Sequence, residues 1–337
     1  MRPSPDPRLR LPLVAATATA LLAAAVATSA PANSRAPSAA PETKITSAPE
    51  SPTYETSARF RFTQAGGGPG AVFECRLDRG KWRRCSSPNR VHLGHGRHLF
   101  EVRAVAEGVA DPSPAAARVR VVPRRLVFGH SVEGSKLVAK RIGDPGAERK
   151  ALIVGEIHGD EPEGRGIVKR LRRSYAGVDG VELWTVETIN PDGDARRQRK
   201  NAHGVDLNRN FSVGWSDDEP PASGYYGGPR PFSEPESRAV RDLARKLRPE
   251  ITIYYHQPWN RVLVPCHGKA PVQQRYARIS GMKTSCRGAG LPGTAINWQN
   301  ETLPGLAFVV ELAPGELSAG KARRHARATV AVAKAGH

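Results

Sequence analysis

The 337-residue chain contains no CxxC pair, no glycine-rich phosphate loop and no internal repeat. The first absence argues against zinc held by thiolates, which calls for closely spaced cysteines. The second removes the loop that cradles nucleotide phosphates. Acidic residues are scarce, 32 against 51 lysines and arginines, for a formal charge of +19. No basic helix interleaved with aromatics accompanies that excess, so nucleic acid is not the expected partner. The basic residues are spread along the chain. An anionic surface or polymer accounts for them, and so does an arginine-rich proteome.

The N-terminus sets the compartment. Arg8 and Arg10 precede an uncharged stretch from Leu11 to Ala27, and Ala25-Val26-Ala27 and Thr28-Ser29-Ala30 offer small residues for cleavage. Residues 1–30 therefore read as a secretory signal peptide. The alternative is an uncleaved anchor, for which an Ala-rich run of about 17 residues is marginal. Either way the product is secreted or held at the cell surface. An oxidising compartment favours disulfides. Cys75 is expected to pair with Cys85, and Cys266 with Cys286, each within one domain, although four cysteines formally allow three pairings. Residues 31–54, rich in Pro, Ser, Ala and Thr, read as a disordered linker.

From residue 55 to 122 the period is two. Phe60 and Phe62 alternate with Arg59 and Arg61; Phe73, Cys75 and Leu77 with Glu74, Arg76 and Asp78; Phe100, Val102 and Ala104 with Glu101 and Arg103. These are half-buried strands between Gly and Pro turns, and they predict a small β-sandwich. The run from Phe73 to Asp78, then Trp82, Cys85, Ser87-Pro88, and Gly96 to Ala104 resembles the immunoglobulin-like modules of secreted bacterial proteins. That resemblance implies a module that is either a spacer or an adhesive contact to the wall, and not a catalyst. His92, His95 and His98 are expected to be surface histidines around a turn.

Past Pro123 the pattern changes. Leu152–Val154, Val181–Val186, Ile251–Tyr255 and Leu306–Leu312 read as strands, two of them nearly continuous apolar runs. Strands apolar on both faces are expected in a sheet covered on both sides. Helices are expected from Pro162 to Ser174, Glu234 to Leu247, Pro271 to Met282 and Ala319 to Ala335. Alternating strand and helix predicts an α/β sheet.

The chemistry begins where the first of these strands ends. His158-Gly159-Asp160-Glu161 supplies an HxxE pair, two of the three protein ligands a catalytic zinc needs. His256 closes the strand Ile251–Tyr255, at the carboxyl end where open α/β sheets place their sites. Glu311 ends another apolar strand; an acid there needs a partner, and burial tunes it for general-base work. Between them runs the stretch Arg199 to Phe211, preceded by Asn190-Pro191-Asp192-Gly193. Its arginines suit a carboxylate or a developing oxyanion; a solvated basic loop is the alternative.

HxxE, NPDG, GVDLNRNF, FSEPE, a His closing a strand and VEL, in that order, resemble the zinc carboxypeptidase family of the carboxypeptidase A type across residues 125–335. The resemblance implies an α/β/α sandwich around a mixed eight-stranded sheet and one Zn2+ ion. Carried over to this chain, it makes His158, Glu161 and His256 the ligands and Glu311 the base of a zinc-activated water. Arg199 would polarise the carbonyl, and Asn208 and Arg209 would grip the substrate's terminal carboxylate. Gly155 to Pro162 and the Pro-Gly-Thr segment before Trp298 are similar to the murein peptide amidase branch, whose members cut the γ-D-glutamyl–diaminopimelate bond of wall peptides. The family's digestive members close a Tyr over the substrate about twenty residues before the base. Here no Tyr falls between Ala289 and Thr302, and Tyr225 and Tyr226 read as structural. The expectation is a secreted, monomeric zinc metallocarboxypeptidase acting on a peptide or cell-wall peptide. A zinc-dependent N-acyl amino acid deacylase and a non-catalytic wall-binding protein are the alternatives.

Overall fold

The computed structural model describes residues 40–65, 70–287 and 290–337. Residues 1–30, expected to be a signal peptide, and the expected linker as far as residue 39 lie outside the described residues.

In Ser57–Ala65 the period of two sends Ala58, Phe60 and Phe62 inward and Arg59 and Arg61 outward. The same rule builds eight short strands: β1 (Glu42–Ser47), β2 (Ser57–Ala65), β3 (Val72–Leu77), β4 (Arg83–Cys85), β5 (Asn89–His92), β6 (Gly96–Ala106), β7 (Val109–Ala110) and β8 (Ala115–Val121). They form a sheet ordered β1-β2-β5 and another ordered β4-β3-β6-β7, with β8 also on β6. Both contribute to one core, in which the Phe60 and Phe100 rings stack at 3.9 Å. The Cys75–Cys85 disulfide ties β3 to β4. His92 and His95 are exposed, and His98 is held by Asp78 at 2.8 Å.

β1 corrects the expected linker. Its composition is that of a disordered segment, yet it pairs antiparallel with β2. The Thr43 N–H donates to the buried Asp111 carboxylate at 2.8 Å, and the Thr43 hydroxyl accepts from the Ala104 N–H at 2.7 Å. A neighbouring strand edge supplies the bonds that the segment's own composition does not. Tyr54, at the other end of the expected linker, is also buried, with the guanidinium of Arg124 4.3 Å from its ring centre.

The second region holds β9 (Arg125–His130), β10 (Lys136–Gly143), β11 (Lys150–Val154), α1 (Gly164–Ser174), β12 (Glu182–Val186), α2 (Pro191–Arg196), α3 (Pro235–Leu247) and β13 (Ile251–His256). Then come β14 (Arg261–Leu263), α4 (Pro271–Ser280), β15 (Lys283–Ser285), α5 (Ala295–Thr302), β16 (Leu306–Glu311) and α6 (Ala319–Ala335). The strands make one mixed sheet of eight, ordered β15-β14-β16-β13-β11-β12-β10-β9. α1, α4 and α6 bury Ile167, Tyr276 and Ala326 against one face; α3 and α5 bury Leu243 and Trp298 against the other. The α/β/α sandwich expected from the resemblance is present. β11 and β13 are buried along their length because both faces are covered. α1 starts at Gly164, two residues later than expected. β9 and β10 are polar enough to escape the apolar-run reading, and their pairing with each other and with β12 makes them strands.

After β11 the chain pairs β12 on one side and β13 on the other, both parallel to it. That reversal is a topological switch point, and it opens a crevice beyond the carboxyl ends of the central strands.

Candidate active site

Three chain segments reach this crevice from strand ends. β13 and β16 are parallel neighbours, and the register sets His256 opposite Glu311. Four residues past β11 lies His158. Its loop is seated by glycine: a Cβ on Gly159 would fall 2.1 Å from the Gly193 carbonyl carbon, so the HxxE loop rests directly on the NPDG backbone. Gly164 is as crowded, with a Cβ position 2.1 Å from the Gly155 oxygen, which lets α1 start beside the strand.

The NPDG turn explains the next segment. The Asn190 side chain caps α2 by accepting from the Gly193 N–H at 3.0 Å, and its amide donates to the Arg199 carbonyl at 3.2 Å. Arg199 is thus anchored beside the HxxE loop. Asn210, from GVDLNRNF, donates to the Gly227 carbonyl at 2.7 Å and to the Ser233 hydroxyl at 2.8 Å. Glu234 and Glu236, from FSEPE, accept from the Asn201 amide at 2.8 and 3.1 Å. These two motifs are the scaffold under the basic loop.

The ligating atoms of His158, Glu161 and His256 all lie within 4.8 Å of one another. Glu161 Oε1 is 3.0 Å from His158 Nδ1, Glu161 Oε2 is 2.8 Å from His256 Nδ1, and the two Nδ1 atoms are 3.2 Å apart. A tetrahedral zinc with bonds of about 2.0 Å has edges of about 3.3 Å, so the donor set fits that ion in type and spacing. Arg199 Nη1 donates towards His158 Nδ1 at 3.1 Å and Glu161 Oε1 at 3.3 Å. Both atoms therefore face the same side of the cleft as the Arg199 guanidinium.

Carboxylates dominate the electrostatics around His158. Burial disfavours the charged form of His158, but the Asp206 and Glu161 carboxylates outweigh it and push its pKa up to about 9. Burial would raise Glu161; the two imidazoles override that and hold it well below the usual carboxylate range. Glu311 behaves oppositely. It is 7% exposed, and burial, reinforced by the charge of Glu161, raises its pKa against the pull of the histidines. Its Oε2 has no hydrogen-bond partner among the described residues. A carboxylate of raised pKa, with one oxygen unpartnered beside a candidate metal triad, is suited to taking up a proton.

Every candidate residue lines one cleft of about 780 Å³: His158, Glu161, Arg199, Asn208, Arg209, His256 and Glu311. The Arg199 Nε and Nη2 atoms are engaged by Asp206 at 3.0 and 2.8 Å, leaving Nη1 towards the triad. Asn208 accepts from the Ala295 N–H at 3.0 Å, which ties the basic loop to the start of α5. The Cys266–Cys286 disulfide is formed.

Two residues escaped sequence reasoning. Asp206 is fully buried and bonds His158 Nε2 at 3.0 Å. Its signal was its place in GVDLNRNF, two residues before Asn208. Tyr225, expected to be structural, is 53% exposed and lines the cleft, its ring centre 5.3 and 5.4 Å from the guanidiniums of Arg199 and Arg209. Trp298, the aromatic residue where the missing Tyr would fall, is buried against Phe211 and Phe232 instead.

A family model described as zinc carboxypeptidase matches residues 120–279, which stops short of Glu311. The chain is 30% identical over 176 residues to murein peptide amidase A of Escherichia coli (strain K12), covering 46% of this chain and 68% of that protein. It is 29% identical over 191 residues to carboxypeptidase B of Astacus astacus, covering 47% of this chain and 61% of that protein, less than two thirds of its length. The crystal structure of murein-tripeptide amidase from Escherichia coli O157 shares the fold, with a TM-score of 0.53 at 24% identity, over 63% of this chain and 92% of that one. With the sheet, the ordered motifs and the triad in place, the chain belongs to the zinc carboxypeptidase family.

Proposed function

We propose that the chain is an exported, zinc-dependent carboxypeptidase that hydrolyses an amide next to a free carboxylate, with wall-derived peptides as substrate and the γ-D-glutamyl–diaminopimelate bond as the point of cleavage. The observation that carries this reading is the convergence in one cleft of the His158–Glu161–His256 triad, the unpartnered Oε2 of Glu311 and the guanidinium of Arg209.

His158, Glu161 and His256 would hold one zinc ion, which would supply a Lewis acid to acidify water and polarise a carbonyl. Glu311 Oε2 takes a proton from the attacking water and delivers it to the leaving nitrogen. Arg199 Nη1 stabilises the carbonyl oxygen as charge builds on it. Arg209 and Asn208 hold the terminal carboxylate, for which a guanidinium fork is the matching donor. Asp206 keeps the His158 ring in position.

Likeness to murein peptide amidase A supports the wall-peptide substrate. Export is supported by the character of residues 1–30 and by two disulfides. The β module is then a spacer or wall contact, and the enzyme acts as a monomer.

The test is mass spectrometry of purified wall peptides after incubation with the zinc-loaded chain, beside ordinary C-terminal peptides and N-acyl amino acids. Release of diaminopimelate-containing products supports the full reading. Cleavage of N-acyl amino acids alone indicates a deacylase. Stoichiometric zinc with no cleavage of any of the three would sink it.

A further inference from the structure

α1 and α6 pack side by side, and between them lies a groove of about 420 Å³. Its walls carry Arg170, Arg323, Arg324 and Arg327, with Ser174 and Tyr175 at the end of α1. None of these residues lines the catalytic cleft.

The four guanidiniums line one groove and have no carboxylate in it among the described residues. On α1 itself, Arg165 pairs with Asp194 and Arg172 with Glu187. Elsewhere Arg76 pairs with Glu101, Arg103 with Glu74 and Arg141 with Glu182. No ion pair joins Arg170, Arg323, Arg324 or Arg327 to a carboxylate among the described residues. α6 brings no acid into its first turn, where the helix dipole would favour one. Like charges gathered in a concave site repel one another, and the arrangement is relieved by an anion in the groove.

We propose that the α1–α6 groove binds a linear, phosphate-bearing polyanion. Guanidinium forks match phosphate oxygens bidentately, and Ser174 and Tyr175 offer hydroxyl donors beside them. Arg323 and Arg327 are one helical turn apart, about 6 Å along the axis, so successive cations meet successive phosphates. Membrane docking would call for apolar side chains to insert. The large exposed apolar residues among those described are Val109, Tyr225, Trp259 and Leu291, none of them in this groove. The groove's one ring, Tyr175, is half-buried and packed on the core, so it offers no open platform for stacking bases. This proposal does not rest on the catalytic reading.

The experiment titrates the full chain with labelled inorganic polyphosphate at physiological salt, by fluorescence anisotropy. Arg323→Ala/Arg327→Ala is expected to weaken binding about tenfold or more and to flatten its salt dependence, as two lost phosphate contacts require. Arg324→Glu, a single charge reversal, should weaken it independently. A control that removes the same charge from β8, Arg118→Ala/Arg120→Ala, should bind like the parent, since both side chains point to solvent on the β module. Equal loss in the control would overturn the proposal, because the net charge alone would then explain binding. So would parental affinity in the groove variants, tighter binding to double-stranded DNA of matched charge, or tighter binding to vesicles containing phosphatidylglycerol.

Discussion

Asp206 Oδ1 lies 3.0 Å from Nε2 of His158, on the side of the imidazole away from Glu161. The carboxylate engages Nε2, so Nδ1, which faces Glu161 and His256, is the nitrogen a metal would take when the ring is neutral. Its other oxygen holds Arg199 through two nitrogens. One buried side chain thus orients both a candidate ligand and a candidate catalytic arginine. Asp206→Asn should lower zinc affinity about 10–100-fold, measured by competition with a chelator. Unchanged affinity would mean that the ring is held by packing alone.

Glu311→Gln removes the proton acceptor and keeps the volume. Turnover should fall by about 10²–10⁴, while zinc content by elemental analysis stays at one per chain. Loss of zinc in the variant would instead make Glu311 a ligand, and surviving activity would exclude it as the base.

Arg209→Ala should cost about 10–100-fold in kcat/KM on substrates with a free terminal carboxylate, the size of a lost charge-assisted bond. The same substrates with an amidated terminus should respond little. Equal losses on both would place Arg209 in the scaffold and not at the carboxylate.

The Tyr225 ring stands beside Arg199 and Arg209 at the open side of the cleft. If it closes over substrate, Tyr225→Ala should raise KM several-fold through lost cation–π and packing contact. Tyr225→Phe should keep KM near the parent value. Its drop in kcat, if any, reports on the hydroxyl. Unaltered kinetics in both variants would make the ring a bystander.

His325 heads a buried hydrogen-bonded chain. Its Nδ1 is 2.8 Å from the Tyr276 hydroxyl, which meets Tyr255 at 2.9 Å, and Tyr255 meets Thr329 at 2.7 Å. Burial, with the charges of Arg324 and Lys321, pushes the His325 pKa down to about 4. The folded group is then harder to protonate than the unfolded one, so its contribution is fully present above pH 6.5 or so. It is lost as pH falls towards 4, up to about 3 kcal/mol. Urea unfolding from pH 7 to 4.5 should be steeper in pH for the parent than for His325→Gln. Parallel curves would show that the acid sensitivity arises elsewhere.

Much of the site was legible because its signals are local. An apolar run ending in His or Glu marks a strand end, and strand ends are where an α/β sheet presents side chains to a crevice. HxxE, the His after Ile251–Tyr255 and the Glu of VEL could each be named on those grounds, and the cleft contains all of them. The cysteine pairs could be named from the expectation of export and from domain membership. β1 was not legible, since its strand exists through hydrogen bonds to β2 and Asp111 and not through its own composition.

By itself the sequence determined the periodicities, the alternation of strand and helix, and which residue types could do hydrolytic chemistry, because each depends on neighbours a few positions away. Only the tertiary structure decided which side chains meet. The parallel register of β13 and β16 puts His256 opposite Glu311. The seat of Gly159 on Gly193 brings Arg199 to the triad, and the fold of GVDLNRNF turns Asp206 towards His158 rather than towards solvent. Those contacts join residues far apart in the chain, and backbone register and close packing, which no local pattern encodes, set them.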